Sequence, residues 1–179
     1  LQSRGLGDVY KRQALSVAYS RPIAMKIYRR IMELRPSWKE KVGVVMTMSN
    51  QDPEEWFEVC GGSKHKKDME QRFKNDDDPL KIAIVVDMWL TGFDVPSLAT
   101  MYVFKPMKGY SLMQAIARVN RVCQGKEGGL VVDYIGIARA LKQAMKDYTK
   151  RDQGNYGNMD VAATAYPKFL EKLDVCRDL

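Results

Sequence analysis

The 179-residue sequence predicts an α/β fold in which helices flank a mostly parallel β-sheet. Short apolar segments alternate with amphipathic segments about five times along the chain, as in β-α-β units. Several apolar segments are continuous, as at residues 81–87 (KIAIVVD), which indicates strands buried on both faces. The composition, with 45% hydrophobic and 28% charged residues, is typical of a folded globular protein.

The strands are predicted from apolar, β-branched runs that end at polar or turn-forming residues. All of these runs are far shorter than the roughly 18 apolar residues of a membrane-spanning helix, so a membrane protein is not expected. In chain order they are residues 14–19, 42–48, 81–87, 101–104 and 129–134.

The helices are predicted from apolar residues spaced three or four apart. Ile23, Ile27 and Ile31 form one such face, in a helix that begins after Ser20. Residues 49–62 are predicted as a loop, with at most a helical turn at 54–59. The remaining predicted helices are residues 64–74, 111–121 and 137–148.

Changes in pattern divide the chain into three parts. Residues 1–13 lack a hydrophobic period and an initiator Met, and are interpreted as a non-native or disordered leader. Residues 14–150 are predicted to form the α/β domain. Residues 151–179 are predicted to be a linker and the start of a following helical region.

Positive charge is concentrated in residues 1–50, which hold ten Lys and Arg against three acidic residues. Residues 51–179 hold 19 of each sign, so the formal charge of +7 comes entirely from the first part. Such an excess attracts polyanions such as nucleic acids. A solvated helix face explains it equally well, so the charge alone does not indicate a function.

Cys60, Cys123 and Cys176 are odd in number and share no C-x-x-C spacing. This pattern argues against a disulfide framework and a structural zinc site, and favours a reducing cytoplasm. The single histidine, His65, lies among lysines and has no partner set for catalysis or metal binding, so no metal site is expected.

A first polar segment, residues 87–96 (DMWLTGFDVP), directly follows a predicted strand. Thr91, Gly92 and Asp94 offer a hydroxyl, an open backbone and a carboxylate in one loop, which suits contacts to phosphate or ribose. We expect this loop at the carboxyl ends of the strands, where ligands bind in open α/β sheets. An ordinary connecting loop explains the same residues when they are considered alone.

A second polar segment lies in the helix predicted at residues 111–121. Gln114, Arg118 and Arg121 are spaced so that they share one face of that helix. Two guanidinium groups and an amide at one place suit a triphosphate, whose outer oxygens carry negative charge. A solvent-exposed basic face is the alternative explanation.

Together, and in this order, the two segments resemble motifs V and VI of the second RecA-like motor domain of superfamily 2 helicases and translocases. Motif VI reads Gln-x-x-Gly-Arg-x-x-Arg in that family, and Ala117 stands where glycine is usual. With residues 105–109 (KPMKG) and 133–136 (DYIG), the chain looks like the R subunit of type I restriction enzymes, an ATP-driven DNA translocase and endonuclease subunit. The resemblance covers about residues 14–148 and implies a three-layer RecA-like fold.

The resemblance implies that two domains supply different parts of one ATP site. ATP lies in a cleft between two RecA-like domains, of which the first supplies the Walker A loop and the Mg²⁺-binding acids. By motif position, Arg121 would be the arginine finger and Arg118 a second γ-phosphate contact. Gln114 would lie beside them.

The loop of motif V has implied roles as well. Gly92 and Asp94 would lie near the nucleotide ribose, while Thr91 would contact the DNA backbone. The parent would be an ATP-dependent type I site-specific deoxyribonuclease that uses ATP and Mg²⁺ in the cytoplasm of a prokaryote. Its partners would be double-stranded DNA, upstream RecA-like and nuclease domains of the same subunit, and methyltransferase and specificity subunits.

The sequence contains no G-x-x-x-x-G-K-[S/T] and no nuclease cluster, so this chain by itself is expected neither to hydrolyse ATP nor to cut DNA. Two alternatives stay open. In the first, the chain is the C-terminal motor domain of another superfamily 2 helicase or translocase. In the second, it is a catalytically silent nucleic-acid-binding module.

Overall fold

The computed structural model describes residues 12–90, 92–121 and 128–152. Its five strands are β1 (Gln13–Val17), β2 (Val42–Val45), β3 (Ile82–Val85), β4 (Leu98–Val103) and β5 (Leu130–Asp133). Its α-helices are α1 (Arg21–Leu34), α2 (Glu54–Cys60), α3 (Ser63–Lys74), α4 (Gly109–Val119) and α5 (Ala138–Asp152).

The strands form one sheet in the order β2-β3-β1-β4-β5, and every neighbouring pair is parallel. The central strand β1 pairs on both sides, with Leu15 opposite Ala83 of β3 and Met101 of β4. The α/β fold with a parallel sheet is therefore confirmed, and the described sheet is parallel throughout.

Helices cover the two faces of the sheet with separate apolar cores, which gives three layers. Under α3, α4 and α5, the core contains Phe73 and Val85. On the other face, Ile84 packs with Met25 of α1 and Trp56 of α2. Because successive strand side chains point to opposite faces, Val85 and Ile84 belong to different cores.

Two element boundaries differ from the sequence-based expectation in ways that matter for the site. Helix α2 is a full helix rather than a turn, because Trp56 and Cys60 bury one side of it against α1 and the sheet. Helix α4 ends at Val119, so Arg121 lies in the segment that follows the helix rather than within it.

The predicted terminal parts lie mostly outside the described residues. Of the leader, only Arg12 and Gln13 are described, and Gln13 begins β1 with its side chain fully buried. Of residues 151–179, only Arg151 and Asp152 are described, at the end of α5. Within the described ranges, no helix has both the length and the apolar character needed to cross a bilayer.

Candidate functional site

The first polar segment runs from the carboxyl edge of the sheet to the amino edge, where it meets the second. The loop after β3 starts at the carboxyl edge and returns to the amino end of β4, and α4 likewise runs back to the amino end of β5. Asp87 therefore lies at the carboxyl edge, whereas Asp94 and Arg121 lie at the amino edge. The expected carboxyl-edge position of the loop is therefore wrong for Asp94, because the loop runs back across the sheet before it reaches this residue.

At the amino edge, the structure brings Asp94 and Arg121 into direct contact. Arg121 Nη1 donates a charge-assisted hydrogen bond to Asp94 Oδ1, and the two side chains are 42% and 54% exposed. Both neighbours of Asp94, Phe93 and Val95, are buried in the core. The carboxylate therefore lies at the surface on a backbone that the core holds in place.

The loop that carries Asp94 is packed against α3. The ring of Phe93 stacks on Trp89, with centroids 4.2 Å apart and planes within 7°, and Trp89 contacts Phe73 at 5.4 Å. Trp89 has φ 67°, a left-handed conformation that costs a non-glycine residue about 1–2 kcal/mol. Packing in the core compensates for this strain. Gly92 also has a positive φ of 70° and is exposed.

Gln114 and Arg118 lie one turn apart on α4, and Arg121 follows two residues after the helix ends. At 3.6 residues per turn, Gln114 and Arg118 are about 40° apart around the helix and about 6 Å apart along it. Both earlier side chains are half-buried, and Arg118 Nε is buried without a hydrogen-bond partner among the described residues. A buried guanidinium donor without a partner is energetically costly, so an anion that accepts from it would be stabilised.

Gly129 allows the end of α4 to lie against the start of β5. A Cβ atom on Gly129 would lie 2.2 Å from both Cγ1 and the backbone oxygen of Val119. Glycine is therefore required here for close packing, and this contact fixes the position of the helix end that precedes Arg121.

At the carboxyl edge, the ends of four strands surround an open cleft of about 390 Å³. Its residues come from the segments just after β1, β2, β3 and β4. They are Tyr19, Ser20, Arg21, Met46, Thr47, Val86, Asp87 and Lys105.

Both cations of this cleft are paired with carboxylates. Arg21 Nη1 lies 3.2 Å from Asp52 Oδ2 and donates to the Thr47 carbonyl oxygen at 3.3 Å. Lys105 Nζ contacts Asp87 Oδ1 and donates to the Val86 carbonyl oxygen at 3.5 Å. Sequence reasoning did not assign Arg21 and Lys105 to a site, although their positions directly after strands were a usable signal.

One predicted site residue cannot be placed: Thr91 lies outside the described residues. In the part of the chain that the structure describes, no group of three or more His, Cys, Asp or Glu side chains has the proximity of a metal site.

Comparison with known proteins identifies the family. A family profile described as type I restriction enzyme subunit R domain 3 matches residues 10–136, more than half of the chain. The chain belongs to this family. It is 42% identical over 181 residues to the type I restriction enzyme HindI endonuclease subunit of Haemophilus influenzae, an alignment that covers 96% of this chain and 17% of that protein.

A second relative agrees with this assignment, and a solved structure agrees with the fold. The chain is 47% identical over 138 residues to a Methanocaldococcus jannaschii protein provisionally named type I restriction enzyme MjaIXP endonuclease subunit, covering 76% of this chain and 13% of that protein. A solved fragment provisionally assigned as the HsdR subunit of a type I restriction enzyme from Vibrio vulnificus YJ016 matches with a TM-score of 0.57 and 17% identity. The match covers 78% of this chain and 27% of the fragment, and it supports the fold. The chain spans less than a fifth of the two curated relatives.

Proposed function

We propose that this chain is the second motor domain of a type I R subunit and supplies arginines to an ATP site that it shares with an upstream domain. In this role it drives translocation of double-stranded DNA before cleavage. The observation that carries the proposal is the amino-edge group of cations. Arg118 has a buried donor without a partner among the described residues, and Arg121 lies just beyond the end of the same helix.

The donor set fits a nucleotide triphosphate. Guanidinium groups bind phosphate oxygens through paired N–H donors, and Arg118 is already partly removed from water, which strengthens such a contact. Arg121 is more exposed and projects from the end of α4, as a group that reaches across a domain interface must. ATP, bound with Mg²⁺ by the upstream domain, would supply the free energy of phosphoryl transfer.

In the proposed site, the residues of this chain have separate roles. Arg121 stabilises charge on the phosphoryl oxygens, and Arg118 binds the same phosphate from the half-buried side of α4. Gln114 offers an amide beside them, while Gly92 and Asp94 border the ribose. Gly92 suits close approach because its Cβ position is open and its φ is positive.

The carboxyl-edge cleft supports the DNA-binding part of the proposal. Ser20 and Thr47 line this cleft together with the two cations Arg21 and Lys105, and hydroxyl groups with cations are a combination that suits the phosphate backbone. By motif position, Thr91 would also contact the DNA backbone. The cleft and the amino-edge arginines lie on opposite edges of one sheet, so DNA and nucleotide can bind at the same time.

The test is steady-state ATP hydrolysis, stimulated by DNA, of an intact R subunit that contains this chain. Arg121→Ala is expected to reduce turnover by roughly 10³-fold or more, since arginine fingers contribute about 10³–10⁵ in rate. Arg139→Ala, at an exposed arginine of α5, is the matched control and should retain turnover. Wild-type turnover in Arg121→Ala would overturn the proposal.

A further inference from the structure

We infer that Asp94 is a positioning residue that orients the Arg121 guanidinium in the ATP site, and this inference rests on the proposed function. The two residues lie 27 positions apart in sequence, and the fold brings them together at the amino edge. Although Asp94 borders the ribose in the proposed site, its effect on hydrolysis comes from its ion pair with Arg121.

Arg121 needs an external restraint because α4 does not provide one. The helix ends at Val119, and Asn120 closes its last turn by donating its backbone N–H to the Ile116 carbonyl oxygen at 3.0 Å. The Arg121 side chain lies beyond this turn and can adopt many rotamers. Its rotamer entropy corresponds to about 2 kcal/mol, which is the cost of fixing it in one rotamer. A fixed carboxylate partner selects among those rotamers.

Asp94 is well suited to be that fixed partner. Asp94 has a short side chain, and its two neighbours in the chain, Phe93 and Val95, are buried. The ring of Phe93 is also stacked on Trp89. The carboxylate position is therefore set by the core rather than by a flexible surface loop. In contrast, Arg118 is restrained by its own partial burial.

Orientation of Arg121 should affect the chemical step more than nucleotide binding. An arginine that stabilises transition-state charge contributes to kcat, and small errors in its position cost up to about 100-fold in rate. Removing the Asp94 charge therefore lowers kcat and leaves KM for ATP nearly unchanged. A residue that only bound the ribose would instead change KM.

The experiment is ATP hydrolysis by an intact R subunit carrying Asp94→Asn, an isosteric change that removes the charge. The expected result is a kcat lowered by roughly 10- to 100-fold, with KM for ATP changed by less than about twofold. The loss should be the same with 2′,3′-dideoxy-ATP, and Asp94→Glu should recover part of kcat. Asp77→Asn, at an exposed acid on the same edge of the sheet, is the matched control.

A double-mutant cycle with Arg121→Lys tests whether Asp94 acts through Arg121. If it does, Asp94→Asn has little further effect in the Arg121→Lys background. The inference is overturned if the two losses multiply, if only KM changes, or if the loss disappears with 2′,3′-dideoxy-ATP. Thermal unfolding of each variant identifies loss of fold, in which case Asp94→Glu serves as the test. Unchanged turnover in Arg121→Ala would instead overturn the proposed function itself.

Discussion

The ion pair between Lys105 and Asp87 gives a prediction with opposite signs for its two members. If the carboxyl-edge cleft binds the DNA backbone, Lys105 contacts a phosphate and Asp87 competes with that phosphate for the ammonium group. Lys105→Ala should then weaken DNA binding, whereas Asp87→Asn should strengthen it. A purely structural ion pair would give losses in both variants or no change in either.

The expected magnitudes follow from burial and charge. Neutralising one phosphate of B-DNA contributes a slope of about 0.9 in log affinity against log salt concentration, which is about eightfold in affinity at 0.1 M salt. The Asp87 side chain is 75% exposed and that of Lys105 is 23% exposed. An exposed carboxylate of this kind contributes at most about 1 kcal/mol to its ion pair, so its removal should increase affinity by up to about fivefold.

The assay is equilibrium binding of an intact R subunit containing this chain to a fluorescent DNA duplex, titrated between 50 and 200 mM salt, the range in which such slopes are measured. Lys105→Ala should lower the salt slope by about 1. Lys142→Ala, at an exposed lysine of α5 outside the cleft, is the control. Equal losses of affinity for Lys105→Ala and Asp87→Asn would refute DNA binding at this cleft.

Three further predictions concern the scaffold. Gly129→Ala should destabilise the fold by several kcal/mol and lower ATP turnover, because the new Cβ would overlap Val119. Gly62→Ala, where the new Cβ would lie in open space, should change the free energy of unfolding by less than about 1 kcal/mol. Chemical denaturation of both variants measures these changes. Burial raises the pKa of Asp78, but hydrogen bonds from the Leu80 N–H and the Arg72 guanidinium outweigh burial and lower this pKa overall. As the pH falls, the Asp78 carboxyl of the unfolded chain therefore binds a proton before that of the native chain does. The stabilisation of the native state by ionised Asp78 is therefore complete above about pH 5 and is lost as the pH falls through the native pKa. Urea unfolding should show that Asp78→Asn destabilises the protein by about 1–2 kcal/mol at pH 7 and by less toward pH 2. Burial, together with the charge of Asp52, raises the pKa of the Cys60 thiol to about 11, so peptide-resolved mass spectrometry should find Cys60 unalkylated by iodoacetamide at pH 8 in the native protein and alkylated in urea.

Sequence patterns predicted the layers of the fold because burial leaves a local signal. The continuous apolar run at residues 81–87 becomes β3, and Leu112, Ala115 and Val119 form the buried face of α4 as their spacing requires. Helix α2 was missed as a helix because it is short and its first turn follows Pro53 in a polar segment.

The arrangement of the site was less predictable, since it depends on chain direction and long-range contacts. Motif order indicated Arg118 and Arg121, but nothing local in the sequence shows that Arg121 meets Asp94 at the amino edge. The left-handed backbone of Trp89 is equally invisible, because aromatic residues rarely adopt it and only packing in the core enforces it here.

The central claim is that Arg121 acts in the chemistry of ATP hydrolysis rather than in holding the fold or the nucleotide. The most direct measurement is single-turnover hydrolysis by an intact R subunit carrying Arg121→Ala, with ATP binding measured on the same preparation. We expect ATP binding within about tenfold of wild type and a hydrolysis rate constant lowered by roughly 10³-fold or more. A hydrolysis rate constant near that of the wild-type subunit would contradict the account.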